Sequence, residues 1–449
     1  MNRLASSLGL ALLSIAATAQ IRVRPVAEPG FEQRIAEHIG RMQIVDTHEH
    51  IVNPATVDPA SLDFRLLISH YAPGDYRSAG MPWETWDRMA TDTLSDLQKW
   101  QILKPYWDLS SNTAYNRAAL LSANLFGIQT IDETTVEELS IRIREAYQGD
   151  WVDYVLREKC RIRYVIEDYP FEDEDHRVFG DPEMFRYVRR FDSFILIHSP
   201  ADIQGNDRWA KGGISSLDDL VDALEKAFLS ARDEGIVAVK TLLAYNRTLA
   251  YGNVTKEEAG KAFARILGLP GDERLAFSEV KPLQDYMMHR VLDLAGKHRL
   301  PVQIHTGLNG GDIENANPVH LINLFRTYPD VNFILFHGGY PYGGELAVLA
   351  KKFRNVHIDM CWLYIISPSY AGRYLSEWLE TVPAGKIMAF GGDFLHVEGV
   401  YGHLMLARQV IAKVLSDKVR SGYFSEEEAI HVANLILHDN AVRILGLDL

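Results

Sequence analysis

From Ile162 onward, short apolar runs rich in β-branched residues alternate with amphipathic stretches, the pattern of βα units feeding a parallel sheet. Seven runs read as strands: Ile162–Ile166, Phe194–His198, Val237–Leu242, Pro301–His305, Asn332–His337, Val356–Met360 and Ile387–Phe390. Each is nearly all apolar, as a strand covered on both faces has to be. An eighth, Gln43–Val45, comes first and leads into DTHEHI. Helix starts punctuate the connections: Asn317-Pro318 sets a capping Asn before a first-turn proline, and Ser216-Leu217-Asp218-Asp219 opens a stretch running to Glu234. Eight strands with intervening helices predict an α/β chain folded as a (β/α)8 TIM barrel. An open doubly wound sheet would want a glycine-rich phosphate loop after an early strand, and neither GxGxxG nor GxxxxGK[ST] occurs.

The connection after the first strand is too long for an ordinary loop. Residues 53–158 are helical in pattern and rich in Trp and Tyr (Trp83, Trp86, Trp100, Tyr106, Trp107, Tyr115), which predicts a helical insertion over the C-terminal face of the barrel. Its aromatics are read first as core. The acidic run Glu172-Asp173-Glu174-Asp175 lacks EF-hand spacing and reads as a solvated loop.

With Lys+Arg 46 against Asp+Glu 60, the chain carries a formal charge of −14, which repels phosphate backbones and excludes nucleic acid as an expected partner. Its two cysteines, Cys160 and Cys361, can carry neither a disulfide scaffold nor a thiolate zinc cluster. The N-terminus has Arg3, an apolar run from Leu8 to Ile15 and the small-x-small triplet Ala17-Thr18-Ala19, which reads as a signal peptide over residues 1–19. The expected product is a barrel domain over 20–449, periplasmic or secreted, with no membrane span in the mature chain. A homo-oligomer is compatible with the sequence.

The chemistry concentrates at strand ends. His48 and His50 lie two apart at the end of the first strand, so both imidazoles project to one face while Glu49 faces away. Later strands end in VQIHTG, ILFHGG and MAFGGDF, supplying His305, His337 and Asp393. In a barrel these ends converge on one face, and imidazole with carboxylate suits zinc or another first-row divalent ion.

DTHEHI, the strand-end histidines and GGDF resemble the amidohydrolase superfamily, over nearly the whole chain. VKTLLAYNRTL, QIHTGLNGGDIENANPVHL and FGGDFLHVEGVYGHLMLAR resemble more narrowly the branch with uronate isomerase-like and glutamine synthetase-associated amidohydrolase domains. The resemblance implies one or two divalent ions, zinc first with manganese and iron as alternatives. His48, His50 and Asp393 would be ligands, His305 a further ligand, and His337 a ligand or a group that polarises the substrate. Such an ion lowers the pKa of bound water to about 7, and Asp393 would serve as general base and then acid. Lys240, at the end of the fourth expected strand, is either carboxylated as a metal bridge, a cation that binds a substrate carboxylate together with Arg247, or half of a structural ion pair. Tyr340 and Glu398 are further candidate substrate contacts, with His198 a candidate at the end of the third expected strand.

The expected function is a hydrolase acting on an amide, ester or lactone-type bond of a small polar substrate, one that could bear a carboxylate. The same ligand set would also serve a sugar-acid isomerase or a non-oxidative decarboxylase. A binding protein that keeps the metal without catalysis is the expectation from another class.

Overall fold

The computed structural model describes residues 28–91, 93–169, 181–271, 273–308 and 311–448. The signal-peptide reading over 1–19 and the acidic run at 172–175 lie outside the described residues. Eight parallel strands run in chain order: β1 (Ile44–Glu49), β2 (Ile162–Tyr169), β3 (Phe185–Arg190), β4 (Ala238–Thr241), β5 (Val302–Ile304), β6 (Phe333–Leu335), β7 (Val356–Asp359) and β8 (Ile387–Met388). Each pairs with the next, and backbone bonds from Thr47 N to Phe390 O (3.2 Å) and Asp393 N to His48 O (2.9 Å) draw β1 toward the segment after β8, so the barrel nearly closes. Across its interior, Gln303 Nε2 on β5 donates to Thr47 O on β1 at 3.2 Å. The expected TIM barrel is the observed fold.

One strand is corrected. The third strand is Phe185–Arg190, not Phe194–His198. FRYVRR escapes an apolar-run criterion because arginines interrupt it, yet two of its charges are paired on folding, Arg190 with Asp168 and Arg189 with Glu234. Phe194, Ile195 and Ile197 are buried because a 3-10 turn (Asp192–Phe194) and the loop after it pack against the barrel core, with no part in the sheet.

The helix starts follow the side chains. Ser216 caps the helix Leu217–Asp233 by accepting from Asp219 N, and Asn317 accepts from Val319 N to open the 3-10 turn Pro318–Leu321. Between β1 and β2 stands the expected helical insertion, which includes Ala72–Ser78, Asp96–Ser110, Ala114–Ala123 and Val136–Ala146. It has its own core, built on Phe64, Tyr76, Trp100, Leu103, Leu139 and Ile143, distinct from the barrel core. Trp100 and Trp107 belong to that core as expected, whereas Trp83 is 64% exposed. Tyr115 packs against both cores. The insertion is tied to the helix Val397–Arg420, where Ser122 Oγ donates to Glu398 O. A Cβ at Gly402 would come within 2.3 Å of Ala118 O, so the approach of these two helices requires glycine there. Both cysteines are buried and unpaired.

Candidate metal centre

The β1–β8 seam is built by side chains that bind backbone. Asp46 Oδ1 accepts from His48 N (3.3 Å) and Gly392 N (3.0 Å), and Glu49 Oε2 accepts from Phe394 N at 2.8 Å. Glu49 thus turns from the imidazoles, as the strand period predicts, but is spent on the loop after β8 instead of facing solvent. A Cβ at Gly392 would lie 1.8 Å from Glu49 Oε1, so only glycine lets the loop come this close. The next residue, Asp393, adopts a left-handed φ of 61°, uncommon for a side chain with a Cβ.

That conformation brings the Asp393 carboxylate to three imidazoles. Its Oδ1 lies 3.2 Å from His50 Nε2 and 3.7 Å from His48 Nε2, and its Oδ2 lies 3.9 Å from His337 Nδ1. Ligand atoms around a tetrahedral zinc at about 2.0–2.1 Å stand roughly 3.3–3.4 Å apart, so the 3.2 Å between His50 and Asp393 is close to the spacing of a shared coordination shell and the 3.7 Å between His48 and Asp393 is a few tenths of an ångström wider. Two sets of three donors, His48 with His50 and Asp168, and His337 with Cys361 and Asp393, each place their ligand atoms within 4.8 Å of one another.

Electrostatics favour the ligand forms. Burial, then Lys240 and His50, hold His48 well below its ordinary pKa, so it keeps a free lone pair at neutral pH. Burial raises the Asp393 carboxyl, but the hydrogen bond with His50 and the neighbouring imidazoles of His48 and His337 outweigh it and hold the group well below the usual carboxylate range. A neutral His48 imidazole beside an ionised Asp393 carboxylate is a donor pair that fits a borderline divalent cation.

The β5–β6 side is differently committed. His337 Nδ1 lies 3.1 Å from Cys361 O, His337 Nε2 lies 2.9 Å from His305 Nδ1, and His305 Nε2 lies 2.9 Å from Leu308 O. His305 thus faces His337 and the Leu308 carbonyl and is in neither of those two sets of three donors. Burial pushes His337 down to about 4 and holds His305 well below its ordinary value, so both rings are neutral. Two neutral rings carry two N–H groups for three contacts, so one contact lacks its proton. Cys361 is buried, which pushes its thiol well above the ordinary range and leaves it a neutral hydrophobe.

Lys240 is fully buried, its Nζ 3.4 Å from His48 Nε2 and 3.6 Å from the centre of the Phe336 ring, and burial lowers it to about 8. Arg247 is not at the mouth. Its guanidinium donates to Asp285 Oδ1 (2.6 Å), Gln284 Oε1 (3.2 Å) and Thr248 O (3.0 Å), the structural ion pair offered for Lys240. Glu398 accepts from Trp151 Nε1 (2.7 Å) and Tyr147 OH (3.2 Å), so it fastens the insertion to the barrel. Tyr340 packs edge-on against Tyr370. His198 follows the 3-10 turn Asp192–Phe194, outside the sheet, and hydrogen-bonds Leu275 O and Gln284 Nε2.

Sequence reasoning missed Asp168 and Arg190. Arg190 clamps Asp168 through Nε (2.9 Å) and Nη2 (2.7 Å), and Asp168 Oδ2 stands 3.8 Å from His48 Nε2. Extending the second strand by two residues would have put Asp168 at a strand end. His70 and Tyr71 were missed as well, because nothing local in the insertion marks them.

An eight-stranded barrel with imidazole and carboxylate donors at its strand ends defines a class of metal-dependent TIM barrels. Residues 257–447 of the chain match the amidohydrolase family. Protein fluG of Emericella nidulans is 29% identical over 227 residues, a match covering 48% of this chain and 26% of fluG, so it spans about a quarter of that curated relative. Among solved structures, uronate isomerase of Thermotoga maritima superposes with a TM-score of 0.76 at 16% identity, covering 94% of this chain and 98% of that one. Glucuronate isomerase of Caulobacter crescentus gives 0.76 at 17% identity, covering 96% and 97%. At these identities the likeness is one of fold.

Proposed function

We propose that this protein is a metal-dependent hydrolase that directs water against an amide, ester or lactone-type bond of a small polar substrate. The observation that carries this reading is the convergence of His48 Nε2 and His50 Nε2 on Asp393 Oδ1 at 3.7 and 3.2 Å. The family match supports it. A divalent cation held by His48, His50 and Asp393 supplies Lewis acidity, polarising a carbonyl and bringing the pKa of water to about 7. Asp393, ionised at neutral pH, accepts the proton of the attacking water and returns it to the leaving atom. Arg190, whose side chain is 23% exposed, offers guanidinium N–H groups to an anionic part of the substrate. The leader-like residues 1–19 support export to the periplasm or beyond.

A panel of N-acyl compounds, lactones and uronates turned over in 18O-labelled water tests the reaction. Hydrolysis places one labelled oxygen in the product per turnover, and Asp393→Asn lowers the rate by about 10²–10⁴-fold. Product without label overturns the hydrolase and favours a sugar-acid isomerase, the second reading, which is supported by the near full-length superposition on two isomerases. Ligand affinity that survives Asp393→Asn, with no turnover in either form, marks a binding protein.

A further inference from the structure

We propose that Tyr71, contributed by the helical insertion, is a positioning residue that holds Asp393 in its working conformation; this rests on Asp393 being the carboxylate of the metal centre. Tyr71 OH donates to Asp393 O at 2.6 Å, while Asp393 N donates to His48 O at 2.9 Å. The peptide groups of Asp393 are therefore held from two sides, its N–H by the barrel and its carbonyl by the insertion. A φ of 61° is uncommon for a residue with a Cβ and persists where its surroundings hold it. Removing the hydroxyl leaves the carbonyl without this donor, and relaxation of the backbone swings the carboxylate off the imidazoles of His48 and His50.

Tyr71 is itself held in place. Its ring stacks on His70 (3.9 Å between centroids), Trp362 (4.9 Å) and Tyr115 (5.3 Å), and meets Phe394 edge-on at 5.3 Å. Trp362 and Phe394 come from the loops after β7 and β8, so the hydroxyl is aimed from a stack that spans insertion and barrel. Tyr71→Phe keeps every ring contact and deletes one hydrogen bond. The insertion holds a matched control in Tyr76, which is fully buried and whose OH donates to Asn116 Oδ1 at the same 2.6 Å, inside the insertion's own core.

The test uses the full chain as wild type, Tyr71→Phe and Tyr76→Phe, with zinc affinity measured by competition with a chromophoric chelator and the melting temperature measured on metal-free protein. Tyr71→Phe is expected to weaken zinc binding by about 10–100-fold, as loss of a group orienting a ligand does. Tyr76→Phe is expected to lower the melting temperature at least as much while keeping zinc affinity within about twofold, because it removes a buried bond of the same kind away from the site. Wild-type affinity in Tyr71→Phe overturns the proposal, and so does an equal loss in both variants, which would mark a general loss of stability. Absence of zinc binding in the wild type is read from that sample alone and overturns the metal-centre reading along with this one.

Discussion

The two sides of the barrel mouth carry the same sequence signature and do different things. At the β1–β8 seam, His48 and His50 meet the Asp393 carboxylate close to cation-shell spacing. At β5 and β6, His305 and His337 spend their nitrogens on each other and on the carbonyls of Leu308 and Cys361. Strand-end histidines of one sequence signature thus face a carboxylate on one side of the mouth and backbone carbonyls on the other. The two arginines teach the same lesson: Arg247 is consumed by Asp285 and Gln284, while Arg190, although clamped to Asp168, keeps part of its side chain at the surface.

The largest expected effect lies at the seam. His48→Ala with His50→Ala removes the bound ion outright, so elemental analysis is expected to fall from about one equivalent of zinc, manganese or iron to none; retention of the ion would shift the centre to the other side of the mouth. Next comes Arg247→Met, which leaves Asp285 buried with Lys281 as its remaining charged partner. It is expected to cost about 3 kcal/mol in denaturant unfolding, the low end for a broken buried pair, with metal content unchanged. A loss of metal or substrate binding at unchanged stability would return Arg247 to the site. The smallest effect is expected for His305→Asn, which weakens zinc affinity by about tenfold through His337 while leaving the stoichiometry intact. Emptying the site as fully as the seam variant does would erase the difference between the two sides.

Much of this was legible in the chain. Short apolar runs marked seven of the eight strands, and the period of two in DTHEHI aimed His48 and His50 to one face. Asp393 was visible because GGD follows a buried strand. The third strand was not, because FRYVRR is stabilised by partners far away in sequence, Asp168 and Glu234, and a local window cannot see an ion pair. Arg247 and Glu398 looked available for the same reason, since Asp285, Trp151 and Tyr147 claim them only on folding. His70 and Tyr71 sit in a stretch whose pattern announces nothing but helix and turn.

The insertion's private hydrophobic cluster has a thermodynamic consequence. A region with its own core can open as a separate cooperative unit while the barrel stays folded, and an opening that also lifted Tyr71 off the barrel core it packs against would withdraw its hydroxyl from Asp393. By mass-action linkage an ion at the seam would then raise the opening free energy of a segment that gives it no ligand, slowing amide exchange in helices such as Ala72–Ser78. Occupancy of the mouth and order in the insertion become two readings of one equilibrium.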